Sequence, residues 1–196
     1  MVLLSTFQVA EMLCDAFGTP SIDGKKVLAL TRAGALTDVG PGRSVRVELP
    51  EVEDFIERTR FVTREEWPDG WSLFRVSLLD LREDEVRDEQ GAVLRTHLGA
   101  DYAGESGLSP RMLDLAWHGM WEVGDEAVRR ALSGKTLLLG TTKGYIHPAY
   151  VRCIVGARRV GSQVVWETDE SPREIQDFVG TGLWMPVKQG RVSDWA

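Results

Sequence analysis

The chain is poor in cysteine, histidine and long apolar runs, and it carries no excess of positive charge. Of its 196 residues, two are cysteines, Cys14 and Cys153, and three are histidines. Two cysteines so far apart in sequence argue against a disulfide framework and a cysteine-based zinc site, and lead us to expect a reducing, cytoplasmic setting. No apolar run approaches the roughly 18 residues needed to cross a bilayer. The opening MVLLSTFQVAEML also lacks the basic flank and small-residue cleavage site of a secretory leader. No membrane partner is expected. Lysine and arginine total 23 against 30 acids, a formal charge of −7, so bulk charge does not carry the protein onto nucleic acid. A local basic patch stays open. Internal repeats, heptads and low-complexity segments are missing as well. What remains, 43% hydrophobic and 27% charged with 20 Gly and 8 Pro, is the balance of a globular protein holding one average domain or two small ones.

Motif chemistry is sparse. Gly134-Lys135-Thr136 fails as a phosphate loop, because Arg129 occupies the position of the required earlier glycine and the triplet closes a helix. His97, His118 and His147 have no second histidine or cysteine at metal-ligand spacing. His118, beside Trp117 on an amphipathic stretch, is expected to pack. No Gly-x-Ser-x-Gly elbow occurs. The acids Asp80, Glu83, Asp84 and Glu85, and separately Glu167, Asp169 and Glu170, read as solvated charge, since no acid-x-Lys triplet of a metal nuclease follows them. We therefore assign no catalytic residue, no metal ligand and no cofactor. Trp117, Trp121, Trp166, Trp184 and Trp195, with Tyr145 and Tyr150, are expected to form core, the alternative being a pocket or stacking surface for a small ligand, a base or a peptide.

The first 60 residues have a legible order. Ser5-Thr6 is an N-cap signal, and Phe7, Val9, Met12, Leu13 and Phe17 recur at the spacing of one helical stripe. Gly18-Thr19-Pro20 stops that helix. A second begins near Ser21, carries Ile22, Val27, Leu28 and Leu30, and ends at Ala33-Gly34. ALTDVGPGRSVRVEL then reads as a hairpin around Gly40-Pro41-Gly42, with Val45 and Val47 on one face and Arg46 on the other. Pro50 opens a third helix, PEVEDFIERTR, with acids in its first turn.

Helix, turn, helix, hairpin, helix is the order of a winged helix-turn-helix, and these residues resemble the excisionase-like branch of MerR-type DNA-binding domains. The resemblance rests on Leu3-Leu4-Ser5-Thr6, Gln8-Val9-Ala10-Glu11-Met12-Leu13, Arg32-Ala33-Gly34-Ala35-Leu36, Gly40-Pro41-Gly42-Arg43 and Glu51-Val52-Glu53-Asp54-Phe55-Ile56. It covers residues 2–60, and the stretch CDAFGTPSIDG is longer than the family's tight turn. It implies double-stranded DNA as the partner, with Lys25, Lys26 and Arg32 on the second helix and Arg43 and Arg46 on the wing as DNA-binding residues. Arg58 and Arg60 close the unit. Residues 1–60 hold seven basic and nine acidic residues, but most of the acids fall on Glu11 with Asp15 and on the Glu48–Glu57 stretch, leaving room for a separate basic face.

The expected organisation is an α+β protein. Residues 1–64 form a winged helix-turn-helix. Residues 65–196 form a mixed α+β domain with a mainly antiparallel sheet or partial barrel, serving oligomerisation, ligand sensing or extra DNA contact. Its strands are read at WSLFRVSLLDL, AVLRTHL (equally a helix) after a turn at Glu89-Gln90-Gly91, KTLLLGT, YVRCIVGARRV, SQVVWET and GLWMPV, and its helices at PRMLDLAWHG and EAVRRAL. The expected function is sequence-specific DNA binding, as a transcriptional regulator or as a phage or mobile-element repressor or directionality factor, with self-association through the second domain. The alternatives are a hydrolase or nuclease built on that domain, and an interaction module whose winged helix no longer binds DNA.

Overall fold

The computed structural model describes residues 2–88 and 90–186, together with the backbone of residues 193–195. Strand β1 (Leu3–Ser5) runs directly into helix α1 (Thr6–Phe17). Ser5 caps the helix through a reciprocal box: its hydroxyl accepts the Gln8 amide at 3.3 Å, and Gln8 Oε1 accepts the Ser5 amide at 2.9 Å. Helix α2 (Gly24–Arg32) starts at Asp23, whose carboxylate accepts the Lys26 amide at 2.9 Å. After a loop come β2 (Arg46–Glu48) and α3 (Leu49–Arg58), with Pro50 in the first turn of α3. Val9, Leu13, Val27, Leu30, Val47, Val52 and Phe55 are fully buried among these elements.

Two local expectations are corrected. Phe7 does not join the buried stripe of α1. It lies about 200° around the helix from Val9 and is 65% exposed, while Val9, Ala10 and Leu13 hold the core face. The expected hairpin around Gly40-Pro41-Gly42 is also absent, because β2 takes β1 as its partner (Leu4 opposite Val47, Ser5 opposite Arg46). That pairing sets Val47 beside Leu4 in the core, whereas Thr37, Asp38 and Val39 are exposed and have no face to bury. The wing segment is instead a loop tied by Asp38. Its carboxylate accepts the amides of Gly40 at 2.9 Å and Arg46 at 3.0 Å, and the Val39 amide donates to the Arg46 carbonyl at 2.9 Å. Gly40 permits the closure, since a Cβ there would stand 1.9 Å from the Ser44 carbonyl oxygen.

The rest of the chain builds a larger sheet. In order come β3 (Arg60–Phe61), β4 (Ser72–Ser77), β5 (Arg82–Arg87), β6 (Val93–Leu98), α4 (Pro110–His118), β7 (Trp121–Glu122) and α5 (Asp125–Leu132). They are followed by β8 (Thr136–Thr141), β9 (Tyr145–Ile146), a 3-10 turn at Pro148–Tyr150, β10 (Val151–Val160), β11 (Gln163–Glu170), α6 (Arg173–Val179), β12 (Leu183–Trp184) and β13 (Ser193–Trp195). Six strands form one sheet in the order β13-β4-β8-β10-β11-β7, antiparallel except where β4 and β8 run parallel. Of the two expected alternatives the mainly antiparallel sheet is the one found, and because it is open the partial barrel does not form. Alternation along the strands sends Leu73, Leu137, Leu139 and Val151 to one face beneath Ile175 and Val179 of α6. Phe74, Val76, Leu138, Val164 and Trp166 face the other side, under Trp117 of α4. The product is helix, sheet, helix in three layers.

The segment AVLRTHL is a strand, β6, paired with β5; of its expected turn, Glu89 lies outside the described residues. Buried Arg95 anchors this hairpin, donating to Asp84 at 2.5 Å and to the Gly119 carbonyl at 3.0 Å. The N-terminal elements and the sheet share packing. Tyr145 and Trp184 belong to the same buried cluster as Phe55, and β3 pairs in parallel with β12. The Tyr102 amide donates to the Ala33 carbonyl at 2.8 Å. Next to it Gly34 adopts φ +80°, where an added Cβ would lie 2.7 Å from Ala103. Among the described residues no helix is long and apolar enough to cross a membrane.

Candidate functional site

Helix α2 turns Val27 and Leu30 into the core. Lys25 and Arg32, seven residues apart, fall within about 20° of each other on the outer side and roughly 10 Å apart along the axis. Both are exposed. This is one cationic edge two turns long. The start of α2 lies against the first turn of α1: a Cβ on Gly24 would stand 3.3 Å from Thr6 Oγ1 and 3.8 Å from the Phe7 amide nitrogen. Both helix starts, each with its partial positive charge, therefore share one tip of the molecule. The antiparallel register sets Arg46 opposite Ser5, the cap of α1, so Arg46 lies next to the same tip. Arg43 is exposed in the loop that Asp38 ties. The amides donated by Arg46 and Gly40, helped by the Arg46 charge, hold the Asp38 carboxyl below its ordinary value.

Lys26, Arg46, Arg58 and Arg60 each make at least one bond within the fold. Lys26 turns back and donates Nζ to the Ser21 carbonyl, and Arg46 donates Nη1 to the Val45 carbonyl at 3.0 Å. Arg58 pairs with Asp54 at 3.2 Å, donates to the Ala35 carbonyl at 3.3 Å and lies over the Phe55 ring. Arg60 covers Phe178 and donates to its carbonyl at 3.1 Å. Several acids have local duties too: Asp23 caps α2, Asp38 ties the loop, and Glu51 accepts the Thr37 amide at 2.7 Å. Glu11 and Asp15 are exposed on α1 beyond its first turn.

The second part of the chain brings together one arrangement that spacing did not reveal. His118 Nδ1 shares a hydrogen bond of 3.1 Å with Thr168 Oγ1, and Asp114 Oδ1 lies 3.9 Å from His118 Nε2 and 3.7 Å from the Arg152 guanidinium. Hydroxyl, imidazole and carboxylate in series evoke a proton relay. However, His118 is only 8% exposed, Asp114 stands beyond hydrogen-bond reach, and burial, with the nearby Arg152 charge, pushes the imidazole down to about 3. A general base works best near the operating pH, so this histidine packs, as its place beside Trp117 suggested. The aromatics form core rather than an open stacking face. Tyr102, Tyr145 and Tyr150 meet edge-on around His147, with Tyr102–Tyr145 at 5.6 Å and Tyr102–Tyr150 at 5.0 Å. The Tyr102 hydroxyl bonds Thr142 at 2.9 Å. The side chain of Trp195 lies outside the described residues. A cavity of about 370 Å³ opens between β10, β11 and α6, with Ser171 and Gln176 set among Val151, Val179 and Pro148. Among the described residues no three His, Cys, Asp or Glu side chains gather as metal ligands.

Comparison of the chain with protein-family models, with curated proteins and with solved structures finds no match.

Proposed function

We propose that residues 2–60 form a winged helix-turn-helix that binds double-stranded DNA sequence-specifically, with α2 in the major groove and the loop tied by Asp38 as its wing. The observation that carries this reading is the shared outer edge of Lys25 and Arg32, directly opposite the buried Val27 and Leu30. A helix entering the major groove needs one face committed to the core and the other lined by cations that reach phosphates and base edges. Lys25, near the helix start, acts as a phosphate contact, and Arg32, near its end, reads a base edge. Arg43 and Arg46 contact the flanking backbone. Lys26, which bonds the Ser21 carbonyl, supports the approach from the side. With a net charge of −7, binding on this reading rests on the local edge of α2 and not on bulk charge.

The reading makes the protein a transcriptional regulator, or a phage or mobile-element repressor or directionality factor. The sheet and its helices then supply self-association, ligand sensing or additional DNA contact. Selection from a random pool of duplexes with the full chain tests it. An enriched motif is expected, and its symmetry reports whether one copy or a pair binds. A pool that shows no enrichment after repeated rounds refutes the proposal.

A further inference from the structure

Helix α2 is buried at its two ends by different parts of the chain. Val27 and Leu30 belong to the N-terminal cluster with Val9 and Phe55. Ala33, which closes the helix, is buried in the cluster of the sheet with Ala100 and Trp117. The link is the segment between β6 and α4. Its root is fixed on the sheet side, where the Gly99 amide donates to the Ala116 carbonyl at 3.2 Å and the Ala100 amide to the Leu79 carbonyl at 2.9 Å. Its next residues lie on the end of α2. The Ala33 carbonyl, at a helix end where intrahelical donors run out, accepts the Tyr102 amide at 2.8 Å. Ala103 follows so closely that a Cβ on Gly34 would meet it at 2.7 Å. The Tyr102 ring packs against both clusters. Its hydroxyl donates to Thr142 Oγ1 at 2.9 Å, and buried Thr142 donates in turn to the Leu78 carbonyl at 3.3 Å.

Resting on the DNA reading, we infer that Tyr102 is a positioning residue for α2: it fixes the last turn of that helix, and with it Arg32, to the sheet. Arg32 directly precedes Ala33, whose carbonyl and side chain are both held from the second part of the chain. A helix of nine residues is too short to keep its place by its own hydrogen bonds, so its packing partners set its direction. At the start of α2 that partner is α1, through Gly24 against Thr6. At the end it is Tyr102. The two ends carry different duties on this reading. A phosphate contact holds register without reading sequence, whereas an arginine on a base edge works only when its fork is aimed. Releasing the Tyr102 side chain therefore loosens the Arg32 end and leaves Lys25 seated. Sequence preference falls while the phosphate contacts stay.

The test compares the full chain as wild type, Tyr102→Ala, Tyr102→Leu and Tyr102→Phe, first free and then with DNA. In the free protein the amides of Ala33, Gly34 and Ala35 donate to the carbonyls of Ala29, Thr31 and Leu30. In Tyr102→Ala they should exchange hydrogen about tenfold faster, with the amides of α1 unchanged. Fluorescence anisotropy at several salt concentrations then gives affinity for the selected duplex and a scrambled one. Tyr102→Ala should keep the wild-type salt slope, because every cation remains, and lose about tenfold in the ratio of the two affinities, the size of one base-edge contact. Tyr102→Phe, which drops only the bond to Thr142, should restore most of that ratio. Tyr102→Leu should fall between them, and it carries the comparison if Tyr102→Ala does not fold. A chain that is merely less stable loses affinity for both duplexes in proportion and keeps the ratio. If the wild type binds no duplex, the DNA reading itself fails. If the wild type prefers the selected duplex but the variants keep its ratio, or the end of α2 exchanges as in the wild type, only this inference falls.

Discussion

The hydroxyl of Tyr145 is enclosed where the N-terminal helices meet the sheet, and it has no hydrogen-bond partner among the described residues. The ring is fully buried, 5.0 Å from the Phe55 ring and 5.6 Å from Tyr102. Burial raises the phenol's pKa, with the Arg58 charge pulling the other way. In the unfolded chain that hydroxyl is hydrated, so folding gives up its water without a replacement. Protein data put this at about 1–3 kcal/mol. Tyr145→Phe removes the penalty and keeps the ring. It forfeits a few contacts against Gly182, where an added Cβ would lie 3.0 Å from the hydroxyl, each contact worth about 0.1–0.2 kcal/mol. A net gain of roughly 1 kcal/mol follows, or about 2–4 °C in Tm for a chain of this size. Urea denaturation should show a higher midpoint at unchanged slope. A loss of comparable size would mean the hydroxyl is bonded in solution, and the reasoning would be wrong.

Two pH predictions come from named groups. The Asp38 carboxyl is held below its ordinary value of 3.8 by the amides of Arg46 and Gly40. Loop order is therefore complete at neutral pH and lost as pH falls through that lowered value. The Gly40 and Arg46 amide resonances should titrate together with a midpoint under 3.8 and stay still in Asp38→Asn; a midpoint above 3.8 would contradict the tie. His118, pushed from 6.5 to about 3 by burial, binds its proton more weakly folded than unfolded. Stability should then decline as pH drops below 6.5 and level off only near 3, and His118→Gln should remove that part of the decline. A His118 ring resonance that titrates near 6.5 in the folded protein would rule this out.

How much of this was legible in the sequence differs by element. Helices announced themselves through their ends: Ser5-Thr6, and the proline that opens PRMLDLAWHG, each marked a start that the structure places at the same residues. Strand β4 was legible because Phe74, Val76 and Leu78 alternate toward one buried face. Charged β5 was not, since most of its side chains are exposed and its tether, Arg95 on Asp84, belongs to the partner strand. Short α6 offered only seven residues behind Pro172. The wing misled because its expected first strand lost the competition for Arg46–Glu48 to residues forty positions earlier, a pairing that local pattern does not encode. The cations of the candidate site were visible as residue types on the second helix; which of them line its outer edge waited on the buried face set by Val27 and Leu30. That Lys26 folds back on Ser21 depended on the turn leading into α2, whereas the exposure of Phe7 follows from its place about 200° around α1 from Val9.

The most direct measurement for the DNA reading is the salt dependence of binding by the wild type and by Lys25→Ala/Arg32→Ala, on the selected duplex and on a scrambled one. The wild type should bind the selected duplex more tightly, with log Kd rising linearly with log salt. Removing both cations should weaken binding to both duplexes and flatten the slope by about 0.9, the release of the one phosphate contact made by Lys25 on B-DNA. If Arg32 contacts a base, the selected duplex should also lose its advantage over the scrambled one. Stability should stay within about 0.5 kcal/mol of wild type, since both side chains are exposed. A double variant with wild-type affinity and slope on both duplexes would contradict the account, because the outer edge of α2 would then not be what meets DNA.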